Sequence, residues 1–308
     1  MKYHPDPAGD RRLFGATYRQ NSVVAKSFGI LADRPECYLY SPLLGCVITA
    51  LPRQDVVHHY SARHALRRLR EDQDLTRQAG AGRDLLALIE HLVRARQDHH
   101  FGVTGSFLVG CHNARSDIDL VCYGSAGYHA AQQLFANHRL IRPYAGDDLT
   151  RLYLRRAKYM AGSSFDALIR QEQRKLQGLT PDADAHINCE PLRADDDAAF
   201  GQTTAKEIGD VALLARITDH AQGLATPALY GIDVTTILSA TIDDPDRLAR
   251  RVTHLRSYLG AYTGAFRAGD TVHVAGKLVH LRDGDHTTLG IELTPWNVGT
   301  SYLANLTR

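Results

Sequence analysis

Two carboxylates one residue apart in an otherwise apolar run are the residues of this chain best suited to chemistry. Asp117 and Asp119 lie in DIDLVCYG. A strand alternates its side chains with period two, so Ile118 and Leu120 point one way and the two aspartates the other. Two anions held that close repel, and desolvating them is costly unless something neutralises them. A divalent cation does so, and hard oxygen ligands suit Mg²⁺. Gly105-Ser106 stands upstream, with ten residues between Ser106 and Asp117. Gly105 lets the backbone come close to a ligand, and the Ser106 hydroxyl and N–H can donate to a phosphate oxygen. A short helix beginning at 107–111 would add its first N–H groups to the same task. The loop HNARS then returns the chain to the aspartates. Arg115 and Ser116 in that loop are further candidate nucleotide contacts, with an Arg115–Asp117 ion pair as the alternative use of the arginine. A triphosphate and a metal pair meeting in one cleft is a phosphoryl-transfer arrangement. Two metals on shared carboxylates activate the attacking oxygen and stabilise the leaving pyrophosphate.

A Gly-Ser pair followed at this distance by an acid–apolar–acid triplet resembles the signature of the DNA polymerase β-like nucleotidyltransferase superfamily. GVTGSFLVGCHNARSDIDLVCYG, with LPRQ before it and ATPALYGIDV and RAGDTVHVAGKLVHL after it, is also similar to a group of stand-alone predicted nucleotidyltransferases common in archaea. The resemblance implies an NTP substrate whose β and γ phosphates contact Gly105 and Ser106. It implies two Mg²⁺ ions held by Asp117 and Asp119, and transfer of a nucleoside monophosphate to an acceptor with release of pyrophosphate. RNA 3′ ends, protein hydroxyls and small molecules are the acceptor classes. It also implies a third carboxylate on a later strand, as metal ligand and base for the acceptor hydroxyl. Glu190 in AHINCEPLR is the expected residue, and Asp166 in SSFDALIR the runner-up.

The elements that must position these groups follow from pattern. Residues 1–60 mix short apolar runs with Pro and Gly and predict a β-containing segment closed near Pro52. Residues 61–79 and 82–100 carry Leu and Ile at three- and four-residue steps and predict helices, with Ser61 as N-cap and a break at Gly80 and Gly82. Helices are also predicted at 127–138 and 149–162, a strand in AHINCEPLRA, and a turn at Asp195–Asp197. From about Glu207 the texture is short alternating runs separated by Gly, Asp and Pro, the look of a small antiparallel barrel. The stretch DDPDRLARRVTHLRSYL reads as a helix or a long loop inside it. The expected fold class is therefore α+β. A nucleotidyltransferase core, a small mixed sheet packed by helices, spans 61–205. The β-containing segment 1–60 precedes it, and a β-rich, barrel-like domain at 206–308 follows and is a candidate holder of the acceptor.

Composition sets the outer limits. The 308 residues are 44% hydrophobic and 23% charged, enough to bury a sizeable core. A net charge of +2 excludes a grossly basic nucleic-acid coat protein while leaving room for a local basic patch. Five scattered cysteines without a CxxC pair predict reduced thiols in a cytoplasmic protein. No apolar leader segment and no run long enough to span a bilayer are visible. No HExxH or Cys/His zinc spacing occurs among the histidines.

Each feature has a plainer use. The aspartates could face solvent on a strand edge, and Glu190 could be a surface acid. Arg63, Arg67, Arg68 and Arg70 on one helix, and Arg151, Arg155 and Arg156 on another, read as solvated faces or as phosphate-tracking ones. Tyr258, Tyr262, His273, Trp296 and Tyr302 could stack bases, or simply pack. Cys111 and Cys122 are expected to pack. Two rival functions remain at this level: a protein-modifying nucleotidyltransferase of the antitoxin kind, disfavoured by the appended β domain, and a non-catalytic nucleotide- or RNA-binding protein on the same fold.

Overall fold

A computed structural model of the chain describes residues 3–21, 28–72, 75, 80–157, 164–192, 203–242, 244, 250–294 and 301–307. The protein is α+β, with several sheets and helices packed on them. Its contacts divide it into two compact units. The first comprises 1–37, 49–144 and 176–194, and the second 38–48, 145–175 and 195–308. These units cut across the boundaries at 60 and 205: residues 145–175 group with the C-terminal strands, and 1–37 with the first unit.

The first unit carries a four-stranded sheet. Strand β6 (Phe101–Val103) runs antiparallel to β7 (Ile118–Tyr123). β7 is parallel to β9 (His186–Leu192), and β8 (Gln177–Leu179) closes the far edge antiparallel to β9. Helices α1 (Ala62–Glu71), α2 (Ala81–Arg94), α3 (Gly105–Val109) and α4 (Gly124–Ala136) belong to the same unit. The Ser61 hydroxyl accepts from the His64 N–H at 3.4 Å and starts α1, as the sequence predicts. Leu66 and Leu69 of α1 and Leu85, Leu88, Ile89 and Leu92 of α2 face inward at helical spacing. They pack with Phe101, Phe107, Ile118 and Ile187. Burying each such side chain contributes about 1.5–3 kcal/mol, and this apolar layer fixes which face of β7 is left for Asp119.

A second, three-stranded sheet in this unit is ordered β1 (Tyr3–Pro5), β3 (Ala16–Gln20), β2 (Arg11–Leu13). Its hairpin turns at Phe14-Gly15, both with positive φ (51° and 77°), the two-residue turn whose twist suits paired strands.

The second unit holds a hairpin of β4 (Tyr38–Ser41) with β5 (Cys46–Thr49), whose last residue falls in the first unit. It also holds helices α5 (Asp147–Ala157) and α6 (Phe165–Gln173) and six strands, β10 (Thr203–Asp219), β11 (Ala228–Ala240), β12 (Val252–Ser257), β13 (Thr271–Asp283), β14 (His286–Leu293) and β15 (Tyr302–Asn305). β10 pairs with both β11 and β13, so the hydrogen-bonded neighbours run β10–β11–β12–β14–β13 and return to β10, with β15 added to β13. Leu213, Tyr230, Leu255, Phe266, Val274 and Ile291 are fully buried in its core.

β12 lies where the sequence predicts a helix or a long loop. Leu248, Val252, Leu255 and Leu259 recur at helical steps. Val252–Ser257 is nevertheless a strand, paired on one edge with β11 and on the other with β14. Two waiting edges outweigh local periodicity. The predicted turn at Asp195–Asp197 and the stretch 158–163 lie outside the described residues, as do most of 73–79. Among the described residues, no helix is long and apolar enough to cross a membrane.

Candidate functional site

The Gly-Ser pair and Asp119 meet at one end of the four-stranded sheet. β6 ends at Val103, and the Thr104 N–H donates to the Asp119 carbonyl at 2.8 Å, extending the ladder by one bond. Gly105 then turns the chain with φ 65° into α3, two residues earlier than the sequence suggests. The turn brings Gly105 directly against Asp119: a Cβ built on Gly105 would stand 2.0 Å from Asp119 Oδ2. No residue with a side chain fits there, which is why a glycine precedes the serine. α3 is a single turn, closed by Gly110 in the left-handed region (φ 75°). The Gly110 and Cys111 N–H groups both donate to the Ser106 carbonyl. Arg68 of α1 donates to the Phe107 and Leu108 carbonyls at 3.1 and 3.0 Å. One arginine of the basic helix thus caps α3, and Arg63 lies over the Tyr123 ring at 4.0 Å.

In β7 the half-buried Asp119 alternates with the buried Ile118 and Leu120, whereas Asp117 is exposed and stands one residue before the strand begins. The parallel pairing sets Asn188 beside Asp119, and Gln177 beside Asn188 on the next strand. The Asn188 Nδ2 donates to Asp119 Oδ1 at 2.8 Å. Glu190 pairs with Val121, one step further along the same face. Asn188 was missed in the sequence, although it sits in HINCE two residues before the expected acid and therefore on the same side of the strand.

The N-terminal sheet packs against the loop between α3 and β7. Arg11 is buried, and its Nη1 donates to Ser116 Oγ at 2.6 Å and to the Cys111 carbonyl at 3.5 Å. Ser116 Oγ also accepts from the Asn113 N–H at 2.8 Å. Ser116 is therefore a buried hinge of this loop, its oxygen already engaged. Arg115 is exposed, and its N–H donates to Asn113 Oδ1 at 3.0 Å. Tyr3 shares the face of Arg11 by alternation and register. Its hydroxyl is bonded to the Cys111 thiol, and its pKa is pushed well up, first by burial and then by Cys111, with Asp119 adding to the rise. His112 stacks on Phe107 at 4.3 Å, and burial lowers its pKa.

Other candidates fall elsewhere. Asp166 lies in α6, in the second unit, and on a helix rather than a strand. Arg151 pairs with Asp148, and Arg156 Nε lies 3.6 Å from Glu172. Tyr262 is buried, its hydroxyl accepting from the Leu303 N–H at 3.1 Å. Tyr302 and His273 bond each other at 2.8 Å, and Arg256 lies 5.3 Å from the Tyr258 ring centroid. Trp296 is outside the described residues. All five cysteines carry free thiols, and Cys111 and Cys122 are buried.

Carboxylate oxygens such as those of Asp119, beside the glycine turn, are the ligand type that hard cations take. The expected acidic triad is not assembled: among the described residues, no three His, Cys, Asp or Glu side chains form a group able to hold a metal. Compared with known proteins, the chain matches no family model, no curated protein and no solved structure.

Proposed function

We propose that the protein is a nucleotidyltransferase that moves a nucleoside monophosphate from an NTP to an acceptor and releases pyrophosphate. The observation that carries this reading is the approach of Gly105 to Asp119, which joins a tight glycine turn and a carboxylate strand in one place. The strand plan supports it: an antiparallel pair, β6 and β7, encloses the Gly-Ser turn, and a parallel third strand, β9, lies beside the acids. Gly105 lets the Asp119 carboxylate come up to the Gly-Ser turn, the Ser106 hydroxyl donates to the phosphate oxygens, and the exposed Arg115 offers them a charge. Mg²⁺ bound with the nucleotide supplies neutralisation of the phosphate charge. Asp117 and Asp119 face that charge, and Glu190, further along the same face, takes the proton of the acceptor hydroxyl. The acceptor oxygen bonds to the α-phosphorus as the bond to pyrophosphate breaks. The closed circuit of strands in the second unit supports a small barrel as the acceptor-holding domain, an architecture that elsewhere holds oligonucleotides.

A second reading, nucleotide or RNA binding without turnover, is favoured by one observation: the side chain beside Asp119 is a neutral amide. The two readings separate in one assay. Each NTP is incubated with Mg²⁺ and a fractionated cell extract, and pyrophosphate release and label transfer to RNA, protein or metabolites are followed. Release that disappears in Asp119→Ala supports the enzyme. Retention of nucleotide by the wild type with no release from any of the four NTPs establishes the binder.

A further inference from the structure

We propose that α1 and the residues leading into it form a docking surface for single-stranded RNA. The surface stands on its own observations; only the choice of RNA over DNA rests on the function proposed above, where RNA ends are the nucleic-acid acceptor. From Val56 to Arg70, VVHHYSARHALRRLR holds four arginines and three histidines and no acidic residue, in a chain whose net charge is only +2. α1 turns Ala65, Leu66 and Leu69 to the core and leaves Arg63, His64, Arg67, Arg68 and Arg70 exposed. Arg63, Arg67 and Arg70 stand at steps of four and three, so they form one stripe about 10.5 Å long. Among the described residues no carboxylate forms an ion pair with any of the three. The stripe is thus a row of uncompensated charge, complementary to a row of phosphates.

The surface belongs to the first unit, and its helix touches the candidate site. Arg68 donates to the carbonyls of Phe107 and Leu108, the two residues that follow the Gly-Ser pair. A strand lying along α1 therefore passes beside that turn. Aromatic rings stand at the other end of the helix. His58 is edge-on to Tyr60 at 4.4 Å, and both His58 and His59 are exposed before the N-cap Ser61. The pKa of His100 is lowered, first by desolvation and then by the charges of His99 and Arg63, which places both histidines near the same helix end. Arginines with exposed rings beside them suit a single strand: the charges take its phosphates and the rings stack on its unpaired bases. A duplex hides its base faces and has no use for the rings. A membrane-lying helix needs its apolar face turned outward, and that of α1 is spent on the core.

The test is the fluorescence anisotropy of a labelled RNA of about 12 nucleotides, titrated with the full chain near pH 8 and between about 50 and 200 mM salt. Arg67→Gln/Arg70→Gln removes two exposed charges that make no contact with α3, and is expected to reduce the slope of log K against log salt by about 1.4. His58→Ala/His59→Ala is expected to weaken binding about tenfold with the slope kept. Arg282→Gln, at an exposed position in the second unit, is expected to leave both unchanged. No binding at the lowest salt, an unchanged slope in Arg67→Gln/Arg70→Gln, an unchanged affinity in His58→Ala/His59→Ala, or a duplex or phosphatidylserine vesicle bound as tightly as the strand overturns the inference. Arg67→Gln alone, with half the change in slope, decides the matter should the double variant not fold. Tighter binding of the matched DNA strand overturns the choice of RNA. Pyrophosphate release is read separately: its absence with RNA bound overturns the function proposed above and leaves the docking surface standing.

Discussion

Gly105→Ala tests the geometry on which the site depends, and Gly110→Ala supplies its control. Both glycines have positive φ, 65° and 75°, and both belong to the one-turn helix α3 and its cap. An alanine in that conformation costs about 1–2 kcal/mol at either position, offset by roughly 0.4–1 kcal/mol from the stiffer unfolded chain. A Cβ at Gly110 would meet nothing within 4 Å, so the net penalty there is about 1 kcal/mol. A Cβ at Gly105 would lie 2.0 Å from Asp119 Oδ2 and 3.0 Å from its Cγ. Something must move, and overpacking of this kind costs about 1–3 kcal/mol more. The Asp119 carboxylate cannot yield without stretching its bond to Asn188. Gly105→Ala is therefore expected to lose about 2–4 kcal/mol of stability in the first unit, against about 1 kcal/mol for Gly110→Ala. Urea unfolding followed by circular dichroism measures both, with the m-value checking that the same transition is compared. NTP binding should vanish in the first variant and persist in the second. Equal losses in stability, or equal retention of nucleotide, would refute the claim that Gly105 exists to let Asp119 approach.

Arg68→Ala removes the donor to the Phe107 and Leu108 carbonyls, and because the arginine is exposed the cost in urea unfolding is about 1 kcal/mol, shrinking in high salt. In the second unit, Arg256 and Glu292 form a buried pair, with side chains 7% and 3% exposed. Burial raises the Glu292 pKa while Arg256 pulls it down. Arg256→Ala strands that carboxyl and should cost about 3–5 kcal/mol, whereas a loss below about 1 kcal/mol would mean the pair is not buried in solution. His254 has its pKa lowered from 6.5 to about 4, first by burial against its neighbours and then by Arg256. The unfolded chain then takes up more protons between about 4 and 6.5, so stability is highest above that window and falls as pH is lowered through it. The loss is about 2–3 kcal/mol, and His254→Asn should flatten the pH dependence of the urea midpoint; an unchanged slope would contradict the assignment.

Local signals made the first unit legible. Ser61 caps α1 because a hydroxyl before a helix has one good use, and α2 follows from its leucine spacing. β7 and β9 were recoverable because alternation and apolar runs report directly on a half-buried strand. The second unit was legible only in texture. Its strands β10, β11, β13 and β14 are alternating runs, but β12 carries a helical pattern and is made a strand by two neighbours that lie far away in sequence. The role of the N-terminal strands was invisible for the same reason. Arg11 reaches Ser116 across more than one hundred residues, and no local pattern records such a bond.

The site itself shows a different limit. A search for carboxylates in HINCEPLR selects Glu190, because chemistry is sought in charged side chains. Register, which the sequence does not state, decides which residue of β9 stands beside Asp119, and it selects Asn188. An amide two residues from an acid on the same strand face is as well placed as the acid to act on Asp119, and here it does so by a hydrogen bond rather than by a charge. The same alternation that identified Asp117 and Asp119 applies to β9, where it groups His186, Asn188 and Glu190 on one face. The shortest path from sequence to Asp119 therefore runs through its strand partner, polar but uncharged, whose hydrogen bond orients that carboxylate beneath the Gly-Ser turn.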